Sequence, residues 1–154
     1  MRLPVPLGFL LSGLAATLVA PLPLAAQIAV ITHPQTAVGS LSLEQLRRLY
    51  LGKTTTLEGG ERVILLEYGP LRRTFYQRLL GLDEKRVKRH WLAVAFGGED
   101  ATPPREMDDR GKILRFVAGH RGALGFLDAS ATDSTVKVLA IEGLTPGDAA
   151  YPLR

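Results

Sequence analysis

The segment that decides the fold reads VILLEYGPLRRTFYQRLLG and spans residues 63–81. Its first four residues form an unbroken apolar run. Such a run is too continuous for a half-exposed strand and predicts an interior strand covered on both faces. Gly69 and Pro70 follow, and proline suits the first turn of a helix. Apolar residues then recur at four-residue spacing from Leu71 to Leu79, which predicts an amphipathic helix.

Upstream of this segment, strand and helix signals alternate in the same way. Residues 28–32 form a short β-branched run that predicts a buried strand. Ser42 and Gln45 have the spacing of a helix capping box, and Gly52 supplies a left-handed stop for the helix. This half of the chain therefore contributes a further strand and helix.

Downstream, Asp83 can cap another helix, which Gly97 and Gly98 terminate. The apolar face of this helix is expected to contain Val87, Trp91 and Val94, widened by Leu92, Ala95 and Phe96.

The remaining third of the chain completes the alternation. Residues 99–107 contain two adjacent prolines and are expected to form an irregular connection. Asp108 or Asp109 begins another predicted helix, and short strands are predicted at residues 123–127 and 135–141. Because strands alternate with helices, the fold class is α/β, with a mixed or parallel sheet covered on both faces.

Residues 1–26 are composed unlike the rest of the chain. Arg2 precedes an apolar stretch, two prolines and the small pair Ala25-Ala26, which is the order of a secretory signal peptide. We therefore expect cleavage after Ala26, one domain at residues 27–154, and localisation in a bacterial periplasm. An uncleaved anchor is the alternative, but the prolines leave an apolar helix shorter than the ~20 residues that a membrane span needs.

The composition excludes several classes of function. The chain has 154 residues and no cysteine, so thiol catalysis and cysteine-ligated metal sites are out. Its formal net charge of +4 produces only a weak electrostatic attraction for nucleic acid. An exported protein also seldom meets nucleic acid, so no nucleic-acid partner is expected. The three histidines lack zinc-motif spacing, and no nucleophile elbow occurs. We expect no metal, no cofactor, no catalytic residue and no enzyme activity.

Three segments, taken in order, resemble type II periplasmic binding proteins, and in particular the phosphate-binding components of ABC transporters. Leu51-Gly52-Lys53, which follows the capped helix, is similar to the family's F-x-G-K segment. Residues 69–81 lie where the family has a phosphate-binding loop followed by F-x-x-Y-L. Residues 122–127 read GALGFL, similar to the family's G-A-I-G-Y-V strand. The resemblance spans about residues 28–140 and is closest to short, single-lobe members.

The resemblance implies a fold and a role. The fold would be a single three-layer lobe of the type II periplasmic binding protein fold, with a mixed sheet flanked by helices. The role would be that of a solute-binding protein in transport, with phosphate or another small oxyanion as ligand and a membrane transporter as partner.

The candidate anion site is the loop before the helix at residues 69–81. A loop that leads into a helix start presents free backbone N–H groups and the positive end of the helix dipole. The family's loop offers Ser-Gly-Thr-Thr, whereas this chain has Gly69, Pro70, Leu71 and Arg72 at those positions. The hydroxyl donors are absent and proline removes one amide, so we expect weak phosphate binding or none.

Charged and hydroxyl side chains nearby could compensate for the lost donors. Arg72 or Arg73 could bind an oxyanion in bidentate fashion, and Ser40 could offer its hydroxyl from a turn. The alternative is that the arginines are solvated surface residues and that the serine is structural. The candidate ligand-binding residues are Ser40, Gly69, Leu71, Arg72 and Arg73.

The strongest charge feature is the run KRVKRH at residues 85–90. With Arg47-Arg48 and Arg72-Arg73 it could form a basic face that meets anionic lipid, a cell-wall polymer or nucleic acid, although a solvated face is the simpler interpretation.

Two functions from different classes follow. The first is a periplasmic substrate-binding-like protein for phosphate or a related anion, with a degenerate anion loop. The second is a periplasmic interaction module, outside transport, that docks a protein or a cell-envelope polymer. A homodimer that rebuilds a two-sided cleft is a third arrangement.

Overall fold

The computed structural model describes residues 27–154, so the signal peptide expected at residues 1–26 lies outside the described part of the chain. The helices and strands are β1 Ile28–Thr32, β2 Ser40–Leu41, α1 Leu43–Tyr50, β3 Ile64–Tyr68, α2 Arg72–Leu80, α3 Glu84–Phe96, β4 Arg105–Met107, α4 Arg110–Gly119, β5 Ala123–Asp128, β6 Lys137–Val138 and β7 Ala140–Ile141. Among these elements, no helix is both long and apolar enough to cross a bilayer.

The main sheet is mixed, in the order β4-β3-β5-β1-β6. Strand β3 runs parallel to β4 and β5, whereas β1 runs antiparallel to β5 and β6. Strands β2 and β7 form a separate parallel pair. The α/β fold class with a mixed sheet is therefore confirmed, and the apolar run at residues 63–66 contributes to an interior strand as predicted.

Helices cover both faces of the main sheet, which gives three layers. Successive residues of β1 point to opposite faces. Ile28 and Val30 belong to the apolar cluster beneath α1, α2 and α3, while Ala29 and Ile31 belong to the cluster beneath α4. All of β1 is buried, as expected for a strand with a helix layer on each side.

The predicted helix caps are confirmed. The Ser42 hydroxyl accepts a hydrogen bond from the Gln45 backbone N–H, and the Gln45 side chain accepts one from the Ser42 N–H, which completes the capping box. Asp83 caps α3, and of the two candidates before α4 it is Asp109 that caps the helix. Because each cap satisfies backbone donors within one turn, short sequence spacings are sufficient to predict it.

Three predictions about the second half of the chain were wrong. Residues 99–107 are not wholly irregular, because Arg105–Met107 pairs with β3 as strand β4. The single strand expected at 135–141 is two short strands in different sheets. Leu92, Ala95 and Phe96 do not widen the apolar face of α3, because all three are exposed.

Candidate functional site

The candidate site begins where the parallel strands β3 and β4 end. Glu67 of β3 is the register partner of Glu106 of β4, so their side chains project from the same face of the sheet. Two neighbouring carboxylates repel each other and favour a cation between them.

Arg72, the first residue of α2, supplies that cation. Its guanidinium lies 2.6 Å from Glu106 Oε1, 3.0 Å from Glu84 Oε1 and 3.4 Å from Glu67 Oε1. A positive charge at a helix N-terminus opposes the helix dipole, and the three carboxylates offset that cost. The Arg72 side chain is only 28% exposed, so its donors face protein groups more than solvent.

Tyr76 extends this network by one helical turn. Its hydroxyl donates a 2.5 Å hydrogen bond to Glu67 Oε2. Burial raises the pKa of Glu67 above its usual value, and this outweighs the lowering by the Tyr76 hydrogen bond and by Arg72. Burial and the charge of Glu67 likewise raise the pKa of Tyr76, so the phenol remains a donor. The network is internally satisfied.

The loop expected to hold an anion is lined by carboxylates. Gly69 begins a 3₁₀ turn that runs through Leu71. A β-carbon on Gly69 would overlap Asp108 Oδ1 and would lie 3.7 Å from Glu106 Oε1, so the space in front of Gly69 is negatively charged. An oxyanion there would need donors in place of these carboxylates.

The structure brings Gly69, Leu71, Arg72 and Arg73 together at this sheet edge and places Ser40 elsewhere. Leu71 is half-buried and packs against the larger apolar cluster. Arg73 is exposed and borders a separate surface depression beside the start of α3. Ser40 lies in β2, where its hydroxyl accepts a 3.3 Å hydrogen bond from the Gly143 N–H. Whether any of these residues binds a ligand remains a prediction.

A groove of about 440 Å³ opens beside the Arg72 network. Glu67, Arg72 and Tyr76 line one end, while α3 and the segment before β4 supply apolar walls. The apolar wall residues from these elements are Val87, Trp91, Leu92, Ala95, Pro103 and Pro104, and Lys88 of α3 also lines the groove. The groove therefore combines apolar walls with the charged side chains of the Arg72 network and of Lys88.

Sequence reasoning missed the acidic members of the site. Glu84 lies in the first turn of a correctly predicted helix. An acidic residue there is ordinarily explained by its favourable interaction with the helix dipole, so it does not indicate a site. Glu106 was missed because β4 was taken for irregular chain, and Asp108 was considered only as a possible helix start. Glu67, which ends the apolar run before the loop, was the one available signal: a carboxylate in a buried strand needs a partner.

Within residues 27–154, no group of three histidine, aspartate or glutamate side chains is arranged to hold a metal ion. The three glutamates converge on the Arg72 guanidinium instead.

No family model matches the chain, but its fold matches several solved structures. One, from Clostridium perfringens, is described as a candidate phosphate ABC transporter substrate-binding protein with bound phosphate; it is 22% identical with a TM-score of 0.63, over 78% of this chain and 46% of that one. A second is an ABC-type phosphate transport receptor from Vibrio cholerae, 18% identical with a TM-score of 0.67, over 82% and 52% of the two chains. A phosphate-binding protein from Stenotrophomonas maltophilia is 15% identical with a TM-score of 0.55, over 79% and 40%.

The chain has the fold of one lobe of these binding proteins. It spans about half the length of the first two of these structures. At these identities the likeness concerns the fold, and the ligand of this chain must be argued from its own residues.

Proposed function

We propose that this chain is a binding-protein-like lobe of the bacterial cell envelope that does not retain free phosphate and that acts by docking a partner macromolecule. It is not an enzyme in this proposal. The groove beside Arg72 and the Gly69 loop form the proposed contact region.

One observation carries the proposal. The Arg72 guanidinium is the natural oxyanion ligand at this helix start, and Glu67, Glu84 and Glu106 already bind it. Its single positive charge faces three carboxylates, and Asp108 adds a fourth beside Gly69. A phosphate brought to this edge would have to break ion pairs and approach a surface of its own sign.

Calorimetric titration of the purified protein with phosphate tests the first half of the proposal. We expect no measurable binding, and a micromolar dissociation constant would contradict it. A double variant, Glu106→Gln with Asp108→Asn, removes two negative charges without changing side-chain shape. If carboxylates exclude the anion, this variant should bind phosphate more tightly than the native protein. Glu44→Gln with Glu99→Gln is the matched control, because it removes two exposed carboxylates that line neither the groove nor the space in front of Gly69.

A receptor for a different small ligand is the second candidate. The groove volume of about 440 Å³ supports it, because it lies within the ~300–1,000 Å³ typical of small-molecule sites. Genes for a permease and an ATPase next to this gene would favour transport, whereas envelope-assembly or sensor genes would favour docking.

Export to the periplasm and cleavage after Ala26 are part of the proposal. The protein recovered from the periplasmic fraction of a bacterial host should begin at Gln27, which N-terminal sequencing measures directly. Light scattering across a concentration series would show whether two copies pair to rebuild a two-sided cleft.

A further inference from the structure

Helix α3 carries an exposed line of basic and apolar side chains, which we call the α3 stripe. Its members are Lys85, Lys88, Arg89, Leu92 and Phe96. Spacings of three and four residues place them on one side of the helix, along about 16 Å at ~1.5 Å per residue. The opposite side of α3 packs into the core, so the helix presents the stripe as a fixed surface.

The basic half of the stripe is not neutralised by the protein. None of the ion pairs among residues 27–154 involves Lys85, Lys88 or Arg89. Glu84, the acidic residue next to them on the helix, is bound to Arg72 at 3.0 Å. Three adjacent cations therefore face solvent.

The other half of the stripe is apolar and equally exposed. Leu92 is 49% exposed and Phe96 is 88% exposed, and they are the two large apolar side chains that residues 27–154 leave in solvent. Isolated exposed apolar residues are ordinary, but here both lie in line with the uncompensated cations.

We propose that the α3 stripe docks the protein on an anionic lipid surface. In this arrangement Lys85, Lys88 and Arg89 contact the headgroups, while Leu92 and Phe96 enter the apolar region below them. An anionic bilayer matches both halves, because it offers negative charge at its surface and hydrocarbon beneath. An anionic polysaccharide would match only the basic half. The inference goes beyond the proposed function. Lys88 and Leu92 also line the groove, whereas Lys85, Arg89 and Phe96 lie outside it.

Vesicle co-sedimentation tests the proposal. The exported protein is recovered from the periplasmic fraction of a bacterial host and mixed with vesicles of equal parts phosphatidylglycerol and phosphatidylcholine, or of phosphatidylcholine alone. We expect binding to the anionic vesicles that weakens with added salt, and little binding to the neutral ones. Every variant keeps the same N-terminus, so differences between variants report on the stripe.

Two stripe variants and one control separate the contributions. The triple change Lys85→Gln, Lys88→Gln and Arg89→Gln should lower the partition coefficient on the order of 100-fold. The double change Leu92→Ala and Phe96→Ala should lower it by about tenfold or more. All five side chains are exposed, so unchanged circular dichroism is expected for both variants.

The matched control carries Arg110→Gln, Lys112→Gln and Arg115→Gln, three exposed residues of α4, whose buried residues pack in the other apolar cluster. It loses the same charge as the triple stripe variant and should bind within about threefold of the native protein, given that surface potentials decay over ~10 Å. Absence of sedimentation with anionic vesicles at low salt would overturn the proposal. So would equal binding to neutral vesicles, or equal losses in the control and the triple stripe variant.

Discussion

Removing the Arg72 guanidinium should destabilise the protein in a pH-dependent way. In Arg72→Gln, Glu67 and its register partner Glu106 lose the cation that separates them, and Glu84 loses its ion pair. Tyr76 still donates to Glu67, so one hydrogen bond of the network survives.

The magnitude follows from how far each group is buried. Removing one partner from a fully buried ion pair costs ~3–5 kcal/mol, whereas exposed pairs contribute ~0–1 kcal/mol. The Glu67 side chain is 13% exposed and the Arg72 side chain is 28% exposed, so the energy of this pair should lie toward the buried limit. Glu84 at 37% and Glu106 at 53% lie toward the exposed limit. We therefore expect a loss of about 2–3 kcal/mol in the free energy of unfolding at neutral pH.

The loss should shrink as the pH falls. In the native protein the pKa of Glu67 already lies above its usual value, so the folded state holds this proton more tightly than the unfolded state. The contribution of such a group to stability is greatest below its unfolded pKa and declines as the pH rises through its folded pKa. Without Arg72 the folded pKa rises further, which enlarges the penalty at neutral pH. Once the carboxyls are protonated, the penalty should largely vanish.

Urea denaturation monitored by fluorescence at several pH values measures this effect. Trp91 is the only tryptophan, is buried, and lines the groove beside the network. Arg73→Gln is the matched control, since it removes the neighbouring exposed arginine and should change stability by less than about 0.5 kcal/mol. Equal losses in the two variants, or a loss for Arg72→Gln that does not decline in acid, would refute the reasoning.

Three further changes test the fold by the same urea assay. Tyr50→Phe deletes a buried hydroxyl that donates a 2.9 Å hydrogen bond to the Leu66 carbonyl, and should cost about 1–2 kcal/mol. Ser42→Ala removes the cap of α1 and should cost about 1 kcal/mol; a stability unchanged from native would contradict the capping box. Gly122→Ala should cost more than about 1 kcal/mol, because Gly122 has a φ of 78° and an added β-carbon would overlap the Arg62 carbonyl oxygen. Gly119→Ala, which has open space around it, should be neutral or slightly stabilising.

The parts of the fold that were predicted correctly depend on short-range physics. The caps at Ser42 and Asp83 satisfy donors three residues away, and the left-handed stop at Gly52, with a φ of 70°, is a property of one residue. The apolar run that begins at Val63 predicted an interior strand because its continuity reflects burial on both faces. None of these signals requires knowledge of a distant segment.

The parts that were missed depend on pairing between distant segments. Strand β4 is three residues long and follows two prolines, so neither its length nor its composition distinguishes it from a loop. It exists because Arg105–Met107 pairs with Leu66–Tyr68. Leu92 and Phe96 were predicted to be buried and are exposed. Apolar periodicity does not show how much of a helix surface the core can cover.

The role of Arg72 shows why an arginine at a helix start cannot be assigned from its own segment. The residue type, the position and the preceding glycine all favour an oxyanion ligand. The deciding contacts come from Glu84, twelve residues along the chain, and from Glu106 on a strand that the sequence does not signal. Because those carboxylates outnumber the guanidinium, the same arginine that could recruit an anion instead holds three negative side chains together. A glycine, a proline and an arginine before a helix are therefore insufficient to indicate an anion site, because distant segments decide the local charge.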